Sequence, residues 1–374
     1  MIYSYESIRA VHLELTDRCN AACPMCPRYV NGEEAPHIQN VQFYLDDIKS
    51  MLPIEFVRQI NRVNFCGDYG DPIVARDLLP IIKYFRHVND NMRVEVNTNG
   101  SARREDWWRE LASIMGSNEA TSGVWFGLDG LADTNHLYRR NTNWEVTMRN
   151  AKAFIDAGGI AHWNFIVFKH NEHQIDEAQA LAKEMGFKHF NIKLTARFLR
   201  NDTFPVFVKG EHAYDLEPPT KEGHQFPTAI NHNQPRPPIE KPSRAMMDVA
   251  KIIEEYRKKG HSELPVQVVP RPNIECIARK EESIYVSARG LVYPCCWIGD
   301  GHTRLEEDII INDDNIDITK HSIEEIVTGG EFQMIEDSWN IGSIRKCVNI
   351  CSVIESDKTQ YGPELVIHKR ADEK

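Results

Sequence analysis

The sequence predicts an α/β fold, a parallel sheet that is either open and doubly wound or closed toward a barrel, followed by a small cysteine-bearing domain. Three observations carry that expectation. Between Val11 and Ala196 six short β-rich runs alternate with amphipathic helical segments, the pattern of parallel strands joined by crossover helices. Five of the nine cysteines then fall between residues 265 and 355. The length of 374 residues suits one large domain and one smaller one, and 41% hydrophobic residues are enough for an ordinary core.

The elements follow in order. The strand runs are VHLELT (11–16), VNFCG (63–67), RVEVNTN (93–99), VWFGLDG (124–130), HWNFIVFKH (162–170) and HFNIKLTA (189–196). DLLPIIKYF, EDWWRELASIM, EVTMRNAKAFIDAG and QIDEAQALAKEMG read as the helices between them. The last two end at Gly158 and Gly186, where left-handed C-caps are expected. Residues 8–200 make this α/β domain. Residues 201–244 carry EPP and QPRPP without sustained periodicity and read as an insert or long loop. AMMDVAKIIEEYRKKG supplies a closing helix over 245–262, residues 265–355 the second domain, and 356–374 a frayed tail.

Charge and composition narrow the classes. The net charge is −11, and twelve acidic residues against Arg304 and Lys320 lie between Asp300 and Asp337. That segment reads as a solvated surface, or as a face for a basic partner. No basic stripe laced with aromatics is present, so no nucleic-acid partner is expected. The N-terminus has no basic region followed by an apolar run, and no stretch has membrane-spanning length. The expectation is a cytoplasmic protein with no membrane association, in which cysteines serve metal ligation or catalysis in preference to disulfides.

TDRCNAACPMCPR (16–28) places Cys19, Cys23 and Cys26 at the carboxyl end of the first strand, where α/β sheets collect their chemistry. A 4Fe–4S cubane has four corners that want thiolates, so three cysteines leave one iron open. A zinc site would need His12, His37 or water as a fourth ligand. Cys66, on the second strand, reads as a buried core thiol.

The C-x3-C-x2-C loop resembles that of the radical SAM superfamily, ligand for ligand, which implies a partial (β/α)6 TIM-like barrel over residues 8–200. The resemblance implies that Cys19, Cys23 and Cys26 hold a 4Fe–4S cluster whose open iron chelates S-adenosylmethionine. The reduced cluster cleaves this cofactor, and the resulting 5′-deoxyadenosyl radical abstracts a substrate hydrogen. Met25 stands where relatives carry an aromatic residue against the adenine, and a flexible thioether also packs on a ring. CGDYGDPI resembles the family's GGEP segment, with Gly70, Asp71 and Pro72 receiving the cofactor's amino group; a plain Gly-Asp-Pro turn is the other reading. Asn97 and Asn99 belong to a TNG-like sequence that contacts the cofactor or forms an Asx turn. Gly127 to Gly130 are similar to S-x-D-G, with Asp129 in the place of its aspartate and Gly127 in the place of serine. Arg140 matches a family arginine that pairs with the cofactor carboxylate, against a surface ion pair. Lys169, His170 and Lys193, near later strand ends, are candidates to face substrate. No catalytic acid or base is identified.

Cys276, thirteen residues, Gly290, four residues and Cys295 resemble the opening of SPASM and twitch domains. The resemblance implies a hairpin over EESIYVSARGLVYP with its turn at Ala288-Arg289-Gly290. Cys347 and Cys351 then complete four thiolates for one auxiliary 4Fe–4S cluster, with Cys296 left as a packed thiol; a four-cysteine zinc site is the alternative. The functional expectation is oxidative modification of a peptide or protein side chain. Alternatives are a small alcohol or sugar substrate, or a non-enzymatic iron–sulfur or zinc scaffold. An electron donor such as flavodoxin or ferredoxin is an implied partner. No peptide-recognition domain is visible before Val11.

Overall fold

The computed structural model describes residues 4–198, 203–221, 274–299, 311–339, 344–351 and 364–370. All lie in one of the chain's two compact units, Met1–Gln225 with Pro272–Lys374. Its strands begin with β1 (Ala10–Leu13), β2 (Tyr29–Val30), β3 (Glu33–Glu34), β4 (Arg62–Phe65), β5 (Arg93–Thr98) and β6 (Ser122–Gly127). They continue with β7 (Ala161–Ile166), β8 (His189–Thr195), β9 (Phe204–Val208), β10 (Glu211–Leu216), β11 (Ser283–Val286), β12 (Val292–Tyr293) and β13 (Glu364–Arg370). The helices up to β8 are α1 (Leu45–Met51), α2 (Ile54–Gln59), α3 (Leu78–Val88), α4 (Glu105–Met115), α5 (Asn135–Tyr138), α6 (Trp144–Asp156) and α7 (Ile175–Met185).

The six strands expected from the sequence pair in parallel in the order β1-β4-β5-β6-β7-β8. Period-two alternation sorts their side chains. One face carries Val63, Phe65, Val94, Val96, Phe126 and Trp163, all buried, with Trp108 of α4 at 5.2 Å from Phe126 and Trp144 of α6 at 6.0 Å from Trp163. The other face carries His12, Asn64, Asn97, Trp125, Asn164 and Lys193, which line cavities. Amides bridge neighbouring strands there, Asn97 to Asn64 and Asn191 to Asn164, each at 2.9 Å. The α7 helix ends on Gly186 at φ 93°, and Gly158 beyond α6 has φ 89°, the left-handed geometry that favours glycine.

Three findings depart from the sequence expectation. First, β11 pairs in parallel with β1, Ala10 opposite Ser283 through Leu13 opposite Val286. The nine-stranded sheet therefore runs β12-β11-β1-β4-β5-β6-β7-β8-β13, and the segment expected as a separate domain contributes strands to the main sheet. The hairpin of β11 and β12 is antiparallel, with Gly290 at φ 82° in its turn. Second, residues 364–370 are a strand, not a frayed end: β13 runs antiparallel to β8 from Glu364 opposite Thr195 to Arg370 opposite His189. Third, the insert begins with an ordered hairpin, β9 and β10, turned by Lys209 and Gly210 at φ 52° and 81°. Two successive positive φ values mark a type I′ turn. The predicted helix over 245–262 lies outside the described residues.

Candidate functional site

The cysteine loop folds over the carboxyl ends of β1 and β4 to β8, around a cavity of about 240 Å3. Cys19, Cys23 and Cys26 all lie on its wall, Cys23 buried and the other two half-buried. Burial pushes all three thiols up, Cys26 to about 11. At Cys23 the Arg139 guanidinium opposes that shift from 3.8 Å, Nη1 to Sγ. The Cys19 sulfur accepts the Ala21 N–H at 3.3 Å and lies 3.9 Å from the Asn99 amide.

Gly70 and Asp71 form the facing wall. A Cβ on Gly70 would lie 1.7 Å from the Thr16 carbonyl oxygen, so only glycine lets this segment approach the cysteine loop. Glu14, buried, fixes the segment from behind: its Oε1 accepts the Tyr69 and Gly70 N–H groups at 2.8 and 3.0 Å, and its Oε2 the Tyr285 hydroxyl at 2.7 Å. Asp71 is buried too. Its Oδ2 accepts the Thr98 hydroxyl at 3.0 Å, the Asn99 N–H at 2.7 Å and the Asn99 side-chain amide at 2.6 Å, while Oδ1 accepts the Ile73 N–H at 3.1 Å. Burial nonetheless keeps its carboxyl above the ordinary range. Asn97 and Asn99 are on the wall. Pro72 is buried just behind it, opening a short 3-10 turn.

The predicted arginine and its neighbour exchange places. Arg139 lines the cavity, whereas Arg140 lines a different recess and donates to the Tyr214 hydroxyl at 3.2 Å. Asp129 stands behind the wall, fully buried, and binds Arg139 Nε at 2.6 Å and the Ile166 N–H at 2.6 Å. Burial raises the Asp129 carboxyl, Arg139 opposing. The Arg139 side chain also accounts for Gly127, where a Cβ would lie 2.5 Å from Nη2. Met25 packs in an apolar cluster with Ala21, Tyr138, Ile166 and Phe168, not on the cavity wall.

Cys66, read from sequence as a core thiol, is half-buried and on the wall, as are Asp68, Lys193 and Arg197. Burial, reinforced by Glu14, holds the Asp68 carboxyl well above its usual range, with the Tyr285 hydroxyl and Cys296 thiol in hydrogen-bonding reach. Lys169 instead pairs with Glu217 at 2.5 Å on the surface, and His170 stacks on Phe168 at 5.2 Å. Asp68 had a sequence signal, an acid three residues before Asp71 at a strand end. Arg139 had none that separates it from Arg140.

A second cavity of about 180 Å3 brings together Cys276, Cys295, Cys296 and Cys351 against His12 and Asn64 of the sheet. Cys276 precedes α8 (Ile277–Lys280). After α9 (Ile323–Val327) and α10 (Gly330–Ser338), α11 (Arg345–Cys351) carries Cys347, buried one turn before Cys351. Among the described residues no three His, Cys, Asp or Glu side chains converge on a point for a single metal ion. A cubane asks something different, since each thiolate meets its own iron. Among the same residues no helix is long and apolar enough to cross a membrane.

Comparison with known proteins adds three findings. No curated protein matches this chain. Streptococcus suis SuiB is similar in structure, with TM-score 0.51 and 12% identity over 88% of this chain and 68% of that one. SuiB bound to precursor peptide SuiA gives TM-score 0.50 and 12% identity over 89% of this chain and 65% of that one, so the chain spans about two thirds of SuiB and the likeness is one of fold. Residues 13–191 match the family described as the Radical SAM superfamily. The cysteine loop at the end of β1 and the parallel sheet beneath it lie within that matched segment, so this part of the chain is similar to the radical SAM superfamily.

Proposed function

We propose that this chain is a radical SAM enzyme that oxidatively modifies a peptide or protein side chain. The observation that carries the reading is the meeting of three thiols with Asp71, Asn99 and Arg139 in one cavity at the carboxyl ends of the sheet. Cys19, Cys23 and Cys26 are the residues that would hold a 4Fe–4S cluster. Gly70, Asp71, Asn97, Asn99 and Arg139 would hold S-adenosylmethionine, with Pro72 and Asp129 supporting them. The donor set fits, since three soft thiolates on one loop serve three corners of a cubane and leave the fourth for the cofactor. When bound, cluster and cofactor supply a one-electron reduction and a carbon radical that takes a hydrogen atom from the substrate.

The chain's own contribution is electrostatic and positional. Thiols that burial keeps protonated release their protons as metal binds. Arg139 then sets a fixed positive charge beside Cys23, held in orientation by Asp129. Asp71, locked by its donors, presents a rigid rim. Cys276, Cys295, Cys347 and Cys351 would hold an auxiliary cluster that receives the electron an oxidised product gives up, and a flavodoxin- or ferredoxin-like donor would recharge the first. The choice of a peptide substrate is supported by the fold likeness to SuiB, whose structure is known with its precursor peptide SuiA.

The test uses anaerobically reconstituted full-length protein reduced with dithionite. It should hold about eight irons, falling to about four when Cys19, Cys23 and Cys26 are all alanine. It should release 5′-deoxyadenosine from S-adenosylmethionine, and Cys23→Ala should not. Stoichiometric zinc with negligible iron would refute the reading.

A further inference from the structure

A recess of about 480 Å3 opens on the other side of the cysteine loop, within the size range of ligand pockets. Its walls are Pro24, which lies between Cys23 and Cys26, with Tyr29, Phe204, Phe207, Arg140 and Lys209. The recess therefore joins ring surface to two cations, with the amides of Asn31 and Asn141 also on its wall. Arg140 is preorganised: its guanidinium sits 5.9 Å over the Tyr214 ring, and Nη1 donates to the Tyr214 hydroxyl at 3.2 Å. That hydroxyl is itself anchored on the Leu137 carbonyl at 2.6 Å.

Among the described residues no carboxylate pairs with Arg140 or Lys209, and no acidic side chain lines the recess. In a chain of net charge −11, two cations on one wall with no carboxylate among the lining residues stand out, the Glu33 carboxylate lying outside that wall beside Gly210. A guanidinium held on an aromatic platform offers its remaining N–H groups as a fork for a carboxylate. Tyr29, Phe204 and Phe207 offer apolar faces for the body that carries it.

We propose that this recess binds a carboxylate attached to an aromatic body. Two sources present that chemistry, a peptide segment with an acidic residue beside an aromatic one, and a free arylalkanoic acid. The site is separate from the cysteine cavity and does not rest on the function proposed for it. It does touch the same loop, because the Arg140 carbonyl accepts the Ala22 N–H at 2.9 Å.

Isothermal titration of the reconstituted full chain tests this, with 3-phenylpropionate in one arm and the peptide acetyl-Gly-Glu-Phe-Gly-amide in the other. At least one should bind saturably, and Arg140→Gln with Lys209→Gln should weaken it by roughly ten- to a hundredfold, the range for a charge-assisted hydrogen bond. Lys209→Gln alone, at an exposed hairpin turn, should weaken it by a smaller factor and guards against misfolding of the double variant. Binding of the peptide alone assigns the recess to a polypeptide segment, and binding of phenylpropionate to a free acid. Failure of both probes to bind, or the same affinity in wild type and double variant, overturns the proposal.

Discussion

Glu14→Ala should loosen the wall of the cysteine cavity without replacing any residue on it. The Glu14 side chain is 1% exposed, and one of its oxygens is the acceptor for two consecutive backbone donors, Tyr69 and Gly70. Alanine leaves both N–H groups buried without that partner. An orphaned buried donor costs about 1–3 kcal/mol, so the pair costs about 2–6 kcal/mol, less whatever a water entering the vacated space recovers. Tyr285 adds little to the loss, because Asp68 remains in its reach. Hydrogen exchange of the full chain should show amides 66–71 and 73 deprotected at least roughly thirtyfold, the equivalent of about 2 kcal/mol.

Glu14→Gln keeps the accepting oxygen and should retain most of that protection. It also has a pH signature. Burial raises the Glu14 carboxyl, so the folded state holds the proton more tightly than the unfolded one. Stability then falls as pH rises from the unfolded value toward the folded one. The Glu14→Gln variant lacks that slope and should gain on the wild type as pH rises above the ordinary carboxylate range. Unchanged protection at 66–71 and 73 in Glu14→Ala, or equal damage from glutamine and alanine, would refute the reasoning.

The same packing sets other outcomes. Arg139→Gln strands the Asp129 carboxylate in the interior and should cost about 3–5 kcal/mol in urea unfolding of the apo chain; adding Asp129→Asn should recover part of it, and strict additivity of the two losses would show that the pair is not coupled. Burial pulls the His12 imidazole down to about 4, so the unfolded state binds its proton first and stability is lost as pH falls from 6.5 toward 4. At about pH 5 the loss is about 2 kcal/mol, and His12→Asn should flatten that limb of the stability profile. At the second cavity Cys295→Ser should lose the auxiliary iron, whereas Cys296→Ser should keep it; the reverse result in an iron assay would shift the ligand register by one residue.

The six parallel strands were legible because each is a short apolar run with its own turn signals, and local chemistry decides such elements. The cavity wall was legible where a motif fixes position along a strand end, at the three cysteines, Gly70, Asp71, Asn97 and Asn99. What escaped is non-local or rotational. Pairing of β11 with β1 joins residues some 270 positions apart, and nothing in either strand names its partner. The order within Arg139-Arg140 is set by the turn after α5, which aims one guanidinium at Asp129 and the next at Tyr214. Met25 turns away into an apolar cluster for the same kind of reason. The β9–β10 hairpin did have a signal, Lys-Gly between two alternating runs, but its proline and histidines masked it.

Gly127 and Arg139 cannot drift independently. Any side chain at 127 would begin 2.5 Å from a guanidinium nitrogen, and that guanidinium is not free to swing aside, because Nε is bound to a fully buried Asp129 at 2.6 Å. The two positions are epistatic. Serine at 127 should be damaging in this background and better tolerated once Arg139 has been replaced by a shorter side chain. A path to a side chain at 127 therefore runs through loss of the arginine first, and a mutational library that varies these sites singly will miss the combinations in which both have changed.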